Sequence, residues 1–92
     1  MITKVELSAR AKKDLRGLPQ HIVGALRRWV DAVEHSGLET VRKVPGYHDE
    51  PLGGDRTGQR SIRLSRAYRA FYVVKRGAVV AVEVIEVNKH DY

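Results

Sequence analysis

The sequence predicts an α+β domain: an antiparallel, meander-like sheet of about four strands with an N-terminal helical hairpin packed on one face. Three observations lead there. The chain up to Ser36 holds one short alternating segment followed by two segments of helical period. The chain from Gln59 onward alternates with a period of two or is continuously apolar. Between them, Pro45, Gly46, Pro51, Gly53, Gly54 and Gly58 keep the backbone irregular. A strand, two helices and then three or more strands is an order suited to an α+β fold.

Ile2 to Leu7 alternates apolar with polar residues and reads as a first strand with one buried face. Ser8 is placed to cap a helix in which Ala11, Leu15 and Leu18 share one side. Gly17 ends that helix, and Pro19 suits the first turn of the next. The second helix, Pro19 to Ser36, has the clearest period in the chain. Ile22, Leu26, Trp29, Val30 and Val33 form its stripe, and Gly37 closes it. Its histidines, His21 and His35, read as surface residues. Thr40 to Val44 reads as a short strand or an extended lead-in. Gln59–Ser65 and Tyr68–Val74 should form a hairpin about Arg66-Ala67, with Lys75-Arg76-Gly77 as the next turn. Ala78 to Val87 is almost continuously apolar, as in a strand covered on both faces.

Ninety-two residues bound the chain to one domain, 1–92, with one modest core. Seventeen Lys and Arg against eleven acids give +6 and a pI near 10.0, which points to nucleic acid, an acidic partner or an anionic surface. No apolar run approaches the roughly 20 residues that span a bilayer, and no membrane partner is expected. The N-terminus lacks the apolar core of a signal peptide. Without cysteine there are no disulfides or thiolate metal sites, and a cytoplasmic location is the simplest reading.

The charge is concentrated. From Gly53 to Arg76 the chain carries Arg56, Arg60, Arg63, Arg66, Arg69, Lys75 and Arg76 against the single acid Asp55. The planar fork of arginine matches phosphate oxygens two at a time. The four histidines show no metal-ligand spacing, the Gly53-Gly54 pair lacks the Gly-Lys-Ser/Thr of a phosphate loop, and no serine sits on a nucleophile elbow. General acid–base and electrostatic chemistry on RNA remains, with no cofactor. It needs a base for the 2′-OH, cations around the phosphorane and an acid for the leaving 5′-oxygen. Glu50, His48, His90 and Tyr92 can fill the acid–base roles, and Arg56, Arg60, Arg63, Arg66, Arg69 and Lys89 the cationic ones. On spacing alone, such a hairpin is more often a solvated face than an active site.

The combination EPL-x-GDR-x-G, then RSIRL-x-x-x-YR-x-x-Y, then a final HDY resembles the RelE/ParE toxin superfamily, and within it the HigB and YoeB branches of type II toxin–antitoxin systems. The resemblance spans essentially the whole chain. It implies a small basic α+β toxin that enters the ribosomal A site, beside 16S rRNA, and cuts mRNA without metal. A cognate antitoxin would neutralise it, and its home would be the bacterial cytoplasm. Glu50 matches the general base before Pro-Leu. Arg63 and Arg69 match the paired arginines on the scissile phosphate. His90 and Tyr92 resemble the C-terminal pair of which one acts as general acid or orients the nucleotide. Arg56 matches a basic loop residue, whereas His48 has no secure counterpart. Asp55 reads as a shaper of the GDR turn, and Lys89 and Asp91 as rim contacts or substrate positioners.

One departure stands out. Gly53 occupies a position where relatives carry a phosphate-facing lysine, so the chain reads as an attenuated toxin unless Arg56 substitutes. The alternative is a non-enzymatic poison of DNA gyrase on the ParE side of the superfamily. Glu50 with Arg63, Arg69 and the HDY end favours the nuclease. A plain RNA-binding module is allowed by the compact chain but has no specific support.

Overall fold

The computed structural model describes residues 1–89. Its sheet has five strands in the order β1-β5-β4-β3-β2, with β1 Lys4–Leu7, β2 Glu50–Pro51, β3 Arg60–Arg63, β4 Tyr68–Arg76 and β5 Val80–Lys89. The helices are α1 Ala9–Arg16, α2 Gln20–Ser36 and the single-turn α3 Leu38–Val41. The α+β class stands, but the sheet is mixed rather than an antiparallel set of about four. β2 to β5 form an antiparallel meander, and β1 joins parallel to β5. The cause is topological: the meander leaves the outer edge of β5 open, and Lys4 to Leu7 fill it in register with Ala81 to Val84.

Local chemistry sets the helix ends. Ser8 Oγ accepts from the Ala11 N–H at 3.0 Å, and the Gly17 N–H closes α1 on Asp14. Pro19 precedes α2 by one residue, so its missing N–H costs no helical bond. Gly37, at φ +88°, donates to the Val33 carbonyl and turns the chain where a Cβ would stand 2.7 Å from Met1 Cγ. The stretch after it is not extended as expected. Leu38 and Val41, three apart and both buried, wind it into the one turn of α3.

The core joins Leu26, Trp29 and Val33 of α2 to Ile62, Ala70, Tyr72, Val82, Val84 and Val87 of the sheet. The Trp29 and Tyr72 rings lie 5.4 Å apart, tilted by 41°. A bulge in β5 makes this core possible. Phe71 pairs with Glu86 and the next residue, Tyr72, with Val84, so Ile85 is the extra residue. The phase flips there, and Val84 and Val87, three apart, both enter the core. At the other end of β5, Ala81 and Val82 are consecutively buried, so that end is covered on both faces.

Beyond Val84, β1 no longer covers the edge of β5, and α1 does so instead. Ser8 donates from its N–H to the Val84 carbonyl at 2.9 Å and from its hydroxyl to Ile85 at 3.0 Å. Asp14 accepts from the Val87 N–H at 3.0 Å. The ladder groups that end at β1 are therefore satisfied rather than left open to another strand. No helix of the described residues is long and apolar enough to cross a membrane.

Candidate active site

Cross-strand register decides which side chains share a face, since directly opposed residues emerge on the same side. Glu50 is opposite Ser61, Ser61 opposite Phe71, Arg63 opposite Arg69, and Phe71 opposite Glu86. Residues of the alternate phase, Ile62, Ala70 and Tyr72, are in the core. One face of β2–β5 thus gathers Glu50, Ser61, Arg63, Arg69, Phe71 and Glu86.

At its centre Arg69 Nη1 lies 3.7 Å from Glu50 Oε1 and donates to Ser61 Oγ at 3.3 Å. The other Glu50 oxygen lies 3.6 Å from His48 Nε2. Arg69 is mostly covered, whereas the Glu50 side chain is 48% exposed and reachable from solvent. A buried serine beneath the guanidinium fixes where the cation points, and the carboxylate beside it is open to a substrate. Arg63, exposed, stands across the ladder from Arg69.

The segment bearing Glu50 and His48 is pinned from the opposite face. His48 adopts a left-handed conformation (φ +48°), which bends the chain into β2. Asp49, its side chain only 1% exposed, accepts from Arg60 Nε and from the Tyr72 hydroxyl, both at 2.6 Å. Burial and the Asp49 hydrogen bond push the Tyr72 phenol up to about 12. Burial alone would lower the Arg60 pKa, but the Asp49 carboxylate outweighs it and the guanidinium is held above its ordinary value. Successive residues of a strand point to opposite faces. Locking Asp49 inward therefore presents Glu50 outward, although β2 has only two residues.

A second clip holds the glycine-rich loop. Arg56, in a 3-10 turn over Gly54–Arg56, lays its guanidinium 4.3 Å above the Phe71 ring. It donates to Gln59 at 2.9 Å and to Glu86 at 3.0 Å. Glu86 also accepts from Asn88 Nδ2 at 2.6 Å, and Arg10 lies 3.9 Å away. Burial would raise the Glu86 pKa, but Arg56, Asn88 and Arg10 together hold it below the usual carboxylate range. Gly53 is extended, with nothing within 4 Å of the place a Cβ would take, so a lysine fits there without a clash.

The structure brings together Glu50, His48, Arg63 and Arg69, with Arg56 clipped at one side of the same face. Arg60 goes elsewhere: it pairs with Tyr72 in register and binds Asp49 on the core side. Arg66 is exposed in the β3–β4 turn. Lys89, the last residue described, pairs with Tyr68, one step along the ladder from Arg69 and Asn88. His90 and Tyr92 lie outside the described residues. Sequence reasoning missed Asp49, Ser61, Phe71 and Glu86. Asp49 had a signal: adjacent acids in an extended segment must face opposite ways, so one of the Asp49-Glu50 pair had to turn inward. Among the described residues no three His, Cys, Asp or Glu side chains form a metal-ligand set.

A scan against protein-family models finds no match, and no curated protein sequence is recognisably similar. Solved structures are. A YoeB/ParE toxin from Agrobacterium tumefaciens superposes with a TM-score of 0.70 at 20% identity, over 96% of this chain and 99% of its own. YafQ from Escherichia coli gives 0.75 at 15% identity, over 95% and 92%. The toxin–antitoxin complex RelBE2 from Mycobacterium tuberculosis gives 0.71 at 21% identity, over 98% and 100%. Across essentially its whole length, this chain has the fold of these YoeB/ParE, YafQ and RelBE2 structures.

Proposed function

We propose that this protein is the toxin of a type II toxin–antitoxin module and an endoribonuclease that cuts mRNA in the ribosomal A site without metal. The observation that carries this reading is a solvent-open carboxylate, Glu50, within 3.7 Å of a serine-anchored guanidinium, Arg69, with His48 at 3.6 Å on its other side. Glu50 takes the proton of the 2′-OH, and the 2′-oxygen bonds to phosphorus. The bond to the 5′-oxygen then breaks, leaving a 2′,3′-cyclic phosphate and a 5′-OH. Arg69 and Arg63 neutralise the charge that builds on the phosphorane. His90 or Tyr92 protonates the leaving oxygen. His48, Arg56, Arg66 and Lys89 contact the RNA around the cut, whereas Arg60 is committed to Asp49 and holds the loop that carries Glu50.

The fold is shared with a protein solved as a toxin–antitoxin complex, RelBE2, which supports a cognate antitoxin as partner. Ribosome, mRNA and antitoxin would all be met in the bacterial cytoplasm. A gyrase poison on the ParE side has no use for an acid–base set beside a phosphate-binding pair. Programmed ribosomes, with mRNA ends mapped beside a gyrase supercoiling assay, separate the two. Cuts that require the ribosome and vanish in Arg69→Ala support the nuclease. Loss of supercoiling without cuts supports the poison.

A further inference from the structure

Around the corner of the sheet from Glu50 lies a cleft of about 290 Å³. It opens where the β3 edge is left uncovered, because β2 pairs only with Arg60 and Ser61. Ala25 and Arg28 of α2 form one side, Val44 and Tyr47 another, and Arg63 and Leu64 the third. Among the described residues no carboxylate lines it. Its walls offer apolar surface and one aromatic ring, and its rim two guanidiniums.

Those guanidiniums differ from four ion-paired arginines. Arg10, Arg56, Arg60 and Arg69 each lie against a carboxylate. Arg28 and Arg63 are exposed, and among the described residues neither side chain has a hydrogen-bond or ion-pair partner. Two unneutralised cations converging on an acid-free cleft favour an anion. The apolar side chains and the Tyr47 ring that line the space with them suit a base splayed out of its stack. Arg63 belongs to both places, since it also stands across the ladder from Arg69.

We propose that this cleft is a nucleotide subsite, taking the base of a residue that flanks the scissile linkage, with Arg28 and Arg63 on its phosphate. The inference deepens the nuclease reading and rests on it. RNA leaving the Glu50–Arg69 centre crosses Arg63, turns over the β3 edge and seats its next base beside Tyr47. The subsite adds a positioning contact away from the reacting atoms. It reads the presence of a base more than its identity, because every base has a π-face.

The test uses Ala25→Phe, which fills the cleft, and Arg28→Glu, which reverses its rim charge; both positions lie on α2, away from Glu50 and Arg69. Ribosomes are programmed with intact mRNA or with mRNA abasic at either position flanking the cut, and circular dichroism checks folding. Ala25→Phe should lower kcat/KM on intact mRNA about tenfold, as loss of one stacked base does. One abasic position should lower the wild-type rate comparably and leave Ala25→Phe unchanged. Equal abasic losses in wild type and Ala25→Phe, or an undiminished kcat/KM of Ala25→Phe on intact mRNA, would overturn the subsite while leaving the nuclease intact. A titration with an uncleavable 2′-O-methyl dinucleotide, followed by NMR, needs no ribosome. Amide shifts at Ala25, Tyr47 and Leu64 that disappear in Arg28→Glu support the subsite. The absence of such shifts, or their appearance only with an acidic antitoxin peptide, overturns it. Wild type that shifts with dinucleotide but cuts nothing on ribosomes overturns the nuclease reading and keeps the cleft as an RNA site.

Discussion

Tyr72 carries two duties at once. Its ring packs at a tilt against Trp29 in the core, and its hydroxyl donates to Asp49 at 2.6 Å. Its pKa of about 12 in the fold, against an unfolded value near 10, makes the phenol a proton acceptor of folding. Between those values the unfolded chain has lost the proton and the folded one keeps it. The contribution is therefore complete below about pH 10 and falls away as pH rises through about 12, by roughly 3 kcal/mol. Urea unfolding across that range should show the loss in wild type and a shallower one in Tyr72→Phe, which should itself be about 1.5 kcal/mol less stable at pH 7. Gly53 is a second residue-scale test. Its extended backbone and empty surroundings accept a lysine, so Gly53→Lys should raise ribosome-dependent cleavage by about a hundredfold, the scale of one preorganised cation. An unchanged rate in a folded variant would place residue 53 outside the site.

Among the elements, the loop from Gly53 to Gln59 depends on a clip rather than on secondary structure. Arg56 is held by Phe71, Gln59 and Glu86. Glu86→Gln should speed amide exchange across this loop at least several-fold while β3 and β4 stay protected. Because the Glu86 pKa is lowered, its contribution is complete above the ordinary carboxylate range and is lost as pH falls through the folded value. Wild type should show the same loop loosening in acid, and Glu86→Gln should not show the pH dependence. The elements also differ in how far sequence reveals them. α2 was legible because its stripe repeats over four turns and Pro19 and Gly37 punctuate it. The β3–β4 hairpin was legible from alternation about Arg66-Ala67, although β4 runs on to Arg76 and β5 begins only at Val80. α3 was not, because Thr40, Val41 and Val44 favour extended backbone and only burial of Leu38 and Val41 overrides that. The β5 bulge leaves no mark in a run of valines. The parallel β1–β5 pair joins strands separated by most of the chain, and no turn announces it.

At the scale of the whole molecule, the site is a convergence that no single stretch contains. Glu50 and Arg69 were readable as types and the register brings them to 3.7 Å, but Ser61 and Asp49, which fix them, act only once strands are paired. The same assembly withdraws Arg60 into an internal ion pair and ties Arg56 to Glu86, so the seventeen basic residues overstate the cations that RNA meets, although the net +6 is unchanged. Binding to single-stranded RNA should still weaken linearly in log salt with a negative slope, about 0.7 for each phosphate neutralised. Arg63→Ala should reduce that slope by about one contact, and Arg60→Ala should leave it nearly unchanged. The most direct test of the central claim is a double-mutant cycle of Glu50→Gln and Arg69→Ala on programmed ribosomes, scoring cuts that end in a 2′,3′-cyclic phosphate. If both groups serve one phosphate, each single change lowers the rate at least about a hundredfold and the double is little worse than the poorer single. Losses that multiply independently, or cuts that persist in both variants, would contradict a shared site.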